Sequence, residues 1–413
     1  MNDDAPRQSL TVEQALERIT GAFKVLPSEQ VALPDGLGRV LAEDIAARLT
    51  QPPAAVSAMD GYAVRAADVA KVPCELKLIG MSQAGQGFDG ELDAGTCVRI
   101  FTGAPVPYGA DTIVIQEVTE SDGKRVTVKE SSPVGADIRP AGLDFTEGQV
   151  LIKAGRRLTA RDLGLAASAN VPWIKVRRKP RIAIMATGDE LVMPGDPLGA
   201  DQIISSNSIA LTAYVRVLGG EPINVGIARD TQESFREVLA GAAGADILVT
   251  IGGASVGDFD LVRQVLGEDG LNLDFYKIAM RPGKPLIFGY LGDTAVLGLP
   301  GNPVSAGVCS AIYLRAAMAV MLGLDAEALS DTAVAILSRD LPANGIREDY
   351  MRALLSRDTE GRLVASPFER QDSAMMANFA RADCLVVRPI KAPPAKAGEL
   401  VRILRLDLGG GAF

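Results

Sequence analysis

Residues 181–190 read Arg-Ile-Ala-Ile-Met-Ala-Thr-Gly-Asp-Glu, an apolar run that stops at a glycine and two carboxylates. A short continuous apolar stretch bounded by turn residues suits a strand covered on both faces, as in a parallel sheet. Outward from it the pattern predicts a helix over 208–218, ending at Gly219 and Gly220, and a second strand over 224–228. A helix over 231–240, a strand over 246–251, a short helix over 259–266, a strand over 295–299 and a long helix over 305–322 follow. Strands alternating with helices imply an α/β domain with a mainly parallel sheet, placed at 179–327 behind the basic linker Arg177-Arg178-Lys179-Pro180.

The flanks have a different texture. Residues 8–26 carry helical apolar spacing, with Thr11 and Gln14 as a capping pair and Pro27 as the stop. From 52 to 145, short β-rich runs at 76–80, 97–101, 112–118 and 125–129 alternate with Gly, Pro and Asp turns. A helix from Thr159 and a strand over 171–176 come next. Past 328 short strands return, at 333–337, 350–356, 362–367, 385–388 and 399–403. The expected fold is therefore multidomain α/β plus β. Residues 1–51 and 146–178 form a helical linking domain, and 52–145 a small β domain inserted N-terminally. Residues 179–327 form the central α/β domain and 328–413 a C-terminal β domain.

Composition narrows the chemistry. A length of 413 residues predicts about two to four domains. The net charge of −9 argues against a general nucleic-acid binder. Cys74, Cys97, Cys309 and Cys384 show no C-x-x-C spacing, which reads as a reduced intracellular chain. The polar start does not read as a signal peptide, and the apolar run 304–324, interrupted by Arg315, reads as a buried helix rather than a membrane span. There is no histidine, so proton transfer falls to Asp, Glu, Lys, Tyr or water, and a cation would be held by oxygen ligands, which favours Mg²⁺.

Four loops in the α/β domain lie just past strands or before a helix, where ligands of open α/β sheets collect. Thr187-Gly188-Asp189-Glu190 offers two carboxylates. Gly252-Gly253-Ala254-Ser255-Val256-Gly257-Asp258-Phe259-Asp260 offers glycine-opened backbone N–H groups and two acids, suited to a phosphate bridged by Mg²⁺ or to a sugar or pterin hydroxyl. Arg281-Pro282-Gly283-Lys284-Pro285, with Lys277 before it, places three cations on a stiff segment suited to an oxyanion. Pro300-Gly301-Asn302-Pro303-Val304-Ser305 precedes the long helix, with Asn302 or Ser305 as its cap. Each alone also suits an ordinary turn; their joint occurrence points to a ligand site. On physics alone, the segments 57–63 and 101–107, and Arg139 and Asp144, read as structural loops.

Together SAMDGYA (57–63), RIFTGAPVPYGADTIVIQE (99–117), RPAGLDFTEG (139–148), ATGDEL (186–191), SSNS (205–208), GGASVGDFD (252–260), RPGKP (281–285) and GLPGNPVSAG (298–307) resemble the MoeA-type molybdopterin molybdotransferases, which include the gephyrin E domain. The resemblance covers essentially the whole chain. It departs at GGASV, where GGVSV is commoner, at FD for YD, and at Arg281, where some members have Lys.

The resemblance implies a cytoplasmic enzyme whose central domain binds molybdopterin. Adenylyl-molybdopterin and molybdate would be its substrates, AMP and molybdenum cofactor its products, and Mg²⁺ an aid. It implies a homodimer whose active site lies between subunits. A molybdopterin adenylyltransferase and other pathway proteins would be partners, with no nucleic acid and no membrane. Asp60, Thr102 and Asp144 fall on functional positions of the first β domain, and Glu190, Asp230 and Asp260 on acidic positions of the α/β domain. Glu190 and Asp260 would organise Mg²⁺ or water and the phosphates; Lys277, Arg281 and Lys284 would neutralise anion charge. Gly252, Gly253, Ser255, Gly257, Pro300, Gly301 and Asn302 would line the substrate. Ser305 and Ser373 resemble molybdate-site serines, and Arg347 and Arg352 the arginines aimed at the oxyanion. Two alternatives stay open: a molybdopterin adenylyltransferase, and a non-catalytic molybdopterin-binding scaffold.

Overall fold

The structure, a computed structural model, describes residues 9–253, 261–324 and 332–407. Its centre is a six-stranded sheet in the order Glu221–Ala228, Arg181–Thr187, Ile247–Ile251, Thr294–Leu299, Pro285–Leu291, Leu271–Lys277. The first four are mutually parallel, and the last two add as an antiparallel edge. The strand Arg181–Thr187 is buried at every position but its first. Ile182 and Ile184 face one core, with Val249, Leu297, Leu211 and Val215. Ala183 and Met185 face the other, with Leu248, Phe235 and Val296. Burial on both faces accounts for the unbroken apolar run.

The expected helices stand at Asn207–Val217, Gln232–Ala240 and Leu261–Glu268. The antiparallel edge was not expected from sequence. Its strand Leu271–Lys277 is only partly buried along most of its length, so it lacks the apolar signature of its neighbours. The long helix begins at Pro303, passes through a π turn at Ser310–Leu314 and continues as Arg315–Leu322. Pro303–Leu322 is, among the described residues, the helix long and apolar enough to cross a membrane, but 83% of its most apolar window is buried inside the protein.

The N-terminal helix is shorter than its apolar spacing implied. The capping box of Thr11 and Gln14 is present, but the helix Val12–Gly21 ends well before Pro27. Phe23 and Leu26 continue the apolar pattern because the following segment also packs on the core, with the Leu26 amide donating to Met321 O at 2.8 Å.

A second six-stranded sheet runs Thr112–Ile115, Gly61–Val64, Thr96–Ile100, Cys74–Ser82, Arg125–Val128, Thr119–Ser121. Gly61–Val64, which reads as a loop in the sequence, is one of its inner strands. A Cβ at Gly61 would sit 2.1 Å from Val114 O, so only glycine lets these strands pair. The chain on either side of this sheet is tied together: Ser28–Ala32 pairs with Trp173–Arg177, and Ile45–Ala46 with Val150–Ile152.

The C-terminal strands Glu348–Arg357, Leu363–Pro367, Thr332–Leu337, Leu400–Arg405 and Cys384–Arg388 pair in that order, and the last pairs back to the first, closing a small barrel. Met280–Arg281 joins its rim by parallel pairing with Glu348–Asp349, so the segment before Lys284 is fastened to the barrel.

Candidate active site

A cavity of about 700 Å³ opens at the carboxyl ends of the parallel strands, where ligands of such sheets bind. Its wall includes Thr187, Gly188, Glu190 and Asp230 on one side and Gly252, Gly253, Pro300, Gly301 and Asn302 on another. Ser205, Ser206 and Asn207 close a third side; Ala374 and Met376, from the C-terminal domain, reach its rim.

The loops approach closely because of their glycines. Gly252 has φ +91°, and a Cβ there would lie 2.8 Å from Thr187 O. Thr187 in turn donates through Oγ1 to Ile251 O at 3.4 Å, and the Gly252 amide donates to Leu299 O at 3.1 Å. Gly188, at φ +144°, lets the Glu190 carboxylate fold back over its own loop. Asp189 and Asp230 brace each other: the Asp230 amide donates to Asp189 Oδ1 at 3.1 Å and the Asp189 amide to Asp230 Oδ2 at 3.4 Å. Arg229 Nη1 donates to the carbonyls of Asp189 and Leu191, both at 3.1 Å.

Asn302 occupies the position before the helix Pro303–Cys309, but its side chain does not cap it. Asn302 Nδ2 instead donates to Ser373 Oγ at 2.9 Å, while the Val304 backbone amide donates to Ser373 O at 3.0 Å. Ser373 therefore joins the loop 300–305 within one chain. Ser305 is buried behind this loop, and neither Ser305 nor Ser373 lies on the cavity wall.

The basic residues are placed differently from the sequence expectation. Lys277, Arg281 and Lys284 do not line the cavity, although Pro285 does. Lys277 Nζ lies 4.6 Å from the Tyr276 ring centroid, and Arg281 is ion-paired with the buried Asp349. Lys284 is exposed. Arg352 is fully buried on the barrel; its Nη2 donates to Asp372 O at 3.0 Å, while Nε has no partner. Burial lowers its pKa, with the neighbouring Arg281 acting in the same direction. Arg347 is partly buried, and its carbonyl accepts from Asn344 Nδ2. Ser255, Gly257 and Asp260 lie outside the described residues.

Asp60, Thr102 and Asp144 are not on this wall. Asp60 Oδ1 accepts from the Thr102 amide at 2.7 Å and the Thr102 hydroxyl at 2.8 Å. These bonds hold its carboxyl below the ordinary carboxylate range, with the Arg99 guanidinium adding to the effect. Arg99 itself lies 5.0 Å from the Tyr62 and Phe101 ring centroids and donates to Gly61 O and Gln116 Oε1. Asp144 sits on a separate exposed loop whose amide donates to Gln51 O at 3.0 Å.

Among the described residues no group of three His, Cys, Asp or Glu side chains is gathered to hold a metal. Glu190 and Asp230 are nonetheless two carboxylates on one wall, and one or two carboxylates completed by substrate phosphates is a donor set that Mg²⁺ takes. The sequence reasoning missed the wall formed by Ser205, Ser206 and Asn207. The signal was available: SSNS runs into the start of a helix, and its Asn207, the first helical residue, comes out on the cavity.

A parallel α/β sheet with glycine-opened loops and acids at its strand ends, carrying a second β sheet and a barrel, defines a multidomain α/β protein with its ligand site at the carboxyl ends of the strands. Residues 10–170 match the family model described as the MoeA N-terminal region (domain I and II), 183–319 the probable molybdopterin binding domain, and 334–406 the MoeA C-terminal region (domain IV). A molybdopterin molybdenumtransferase from Haemophilus influenzae is 33% identical over 400 residues, covering 95% of this chain and 98% of that protein. One from Bacillus subtilis is 33% identical over 415 residues, covering 98% and 96%. The crystal structure of a molybdopterin biosynthesis MoeA protein from Pyrococcus horikosii superposes with a TM-score of 0.83 at 32% identity, covering 97% of this chain and 100% of that one. The chain belongs to the MoeA family of molybdopterin molybdenumtransferases.

Proposed function

We propose that this transferase inserts molybdate into adenylyl-molybdopterin, releasing AMP and molybdenum cofactor. The observation that carries the reading is the cavity itself. Glu190, Asp230, the glycines Gly252 and Gly253 and the segment 300–302 line one space. Backbone amides in such a loop and at the start of a helix bind phosphate oxygens, and the acids take a role at the same phosphates through a bound cation or through a proton.

Mg²⁺ would be held by Glu190 with Asp260 or Asp230, and when bound it supplies charge neutralisation at the pyrophosphate. The chain's own residues do the rest. Gly252, Gly253 and Gly301 let the phosphates approach the backbone. Glu190 orients a water molecule or accepts its proton. Lys277 and the exposed Lys284, on the segment tied to the barrel, supply positive charge toward the oxyanion, while Arg281 has its charge balanced by Asp349 within one chain. No nucleophilic side chain is needed: the buried thiols of Cys97 and Cys384 are pushed up to about 12, so neither is a thiolate at neutral pH.

Asp60, Thr102 and Asp144 belong in this reading to the site of a second subunit. A homodimer with its clefts between subunits gives them a role that their place within one chain does not. The same reading places the protein in the cytoplasm, taking substrate from a molybdopterin adenylyltransferase.

The test is direct. Purified protein with adenylyl-molybdopterin should release AMP only when molybdate is added, and should then reconstitute an apo-molybdoenzyme. Net adenylylation of molybdopterin from ATP instead would replace this reading by the adenylyltransferase one.

A further inference from the structure

We propose that Asn207 is a positioning residue for the substrate cavity: its side-chain amide pins the loop 300–303 from the wall opposite Ser373. This rests on the reading of the cavity as the site of the nucleotide-activated pterin.

Asn207 Nδ2 donates to Gly301 O at 2.7 Å, across 94 residues of sequence. The loop it reaches lies between Pro300 and Pro303, neither of which has an N–H, so the backbone donors within it are those of Gly301 and Asn302. Gly301 packs against Gly252, whose Cα would lie 3.6 Å from a Gly301 Cβ. On the far side the Asn302 side chain is held by Ser373. The near side is held by Asn207.

Following the bonds round the cavity shows what Asn207 completes. The Ile203 amide donates to Glu190 O at 2.8 Å, and the chain from Ile203 leads directly to Asn207. Asn207 bonds Gly301, the Gly252 amide bonds Leu299 O, and Thr187 bonds Ile251 O before the chain returns to Glu190. Among the described residues, Asn207 is a side-chain link between the segment carrying Glu190 and the segment carrying Gly301. Losing it frees the Gly301 peptide to rotate away from the Gly252 backbone, and with it the amides offered to phosphate.

The decisive variant is Asn207→Asp. It preserves size but sets a carboxylate against the Gly301 carbonyl. Asn207 opens the helix Asn207–Val217, where an acidic residue favours the helix dipole, so a residue that served only to start this helix would give unchanged or higher thermal stability and unchanged turnover in Asn207→Asp. The positioning role predicts a KM for adenylyl-molybdopterin raised roughly tenfold, the worth of one hydrogen bond, with kcat nearly unaltered. It also predicts that lowering the pH relieves the defect, because the introduced carboxyl group donates again once protonated. Asn207→Ala should raise KM without that pH relief.

Hydrogen–deuterium exchange of a peptide spanning 299–306, in ligand-free protein, gives a readout independent of activity, and uptake should increase in both variants. Wild-type KM and wild-type exchange in Asn207→Asp would overturn the proposal. If the wild-type protein itself releases no AMP, the functional reading fails, while the exchange result still decides whether Asn207 holds the loop.

Discussion

Glu190 stands on the wall of a cavity closed by segments from across the chain, whereas Asp60 is bonded within its own sheet to Thr102 and lies off that wall. The first site depends on long-range closure: strand ends, a helix start and a C-terminal segment must all arrive together. The second is complete locally, with both donors on one neighbouring residue. The proposed function assigns this locally complete acid to the cleft of a second subunit, and the contrast between the two sites makes that assignment testable.

The largest effect expected on the cavity side comes from Gly252→Ala. Its φ of +91° and the 2.8 Å approach to Thr187 O leave no room for a methyl group. AMP release should fall by more than about 100-fold as the loop backs away from phosphate, and denaturant unfolding should show a loss of roughly 1–3 kcal/mol from the strained backbone. Gly267→Ala is the control: a methyl group there meets nothing within 4 Å, so stability should hold or rise slightly. Equal behaviour of the two variants would mean that the close approach at Gly252 is not what shapes the site.

Glu190→Gln removes charge and little else. AMP release is expected to fall roughly 10²- to 10⁴-fold, the range for a lost acid–base group, with the unfolding midpoint unchanged because the side chain is exposed. Retained activity would move the essential acid to another member of the wall.

Mixing subunits sharpens the contrast further. Asp60→Ala and Glu190→Ala proteins should each be inactive. Refolded or co-expressed together, they should recover about a quarter of wild-type activity, since random pairing makes half the dimers mixed and each mixed dimer keeps one intact cleft. No recovery, with mixed dimers shown to form, would mean that Asp60 and Glu190 serve sites within one chain or unrelated ends.

How much of this was legible in the sequence follows from the same contrast. The strand Arg181–Thr187 announced itself because burial on both faces leaves no alternation. The capping residues Thr11 and Thr159 marked helix starts because their bonds are made within three residues. The antiparallel edge Leu271–Lys277 was hidden because an edge strand is half-solvated, and Gly61–Val64 because its glycine serves a partner strand far along the chain. Among site residues, those near strand ends were found by position. Asn207 was missed because its role is a bond to Gly301, and no spacing within SSNS encodes a partner 94 residues away. The cations show the converse: charge is visible in sequence, but the Asp349 that pairs with Arg281 is not.

The smallest expected effect tests whether the Asp60 charge is used at all. Thr102→Val removes the hydroxyl donor at 2.8 Å and keeps the amide at 2.7 Å. Since these bonds lower the Asp60 pKa in the folded protein, losing one raises it back toward the ordinary carboxylate range. The sign follows from linkage: a depressed carboxyl contributes its stabilisation above the unfolded pKa and loses it as pH falls through the folded one. Stability near neutral pH should therefore barely change, because the group is exposed. The acid limb of the AMP-release profile should move to higher pH, matching the Asp60 carboxyl titration followed by NMR. A titration that shifts while the acid limb stays put would leave Asp60 a turn-forming acid and remove its claim on the chemistry.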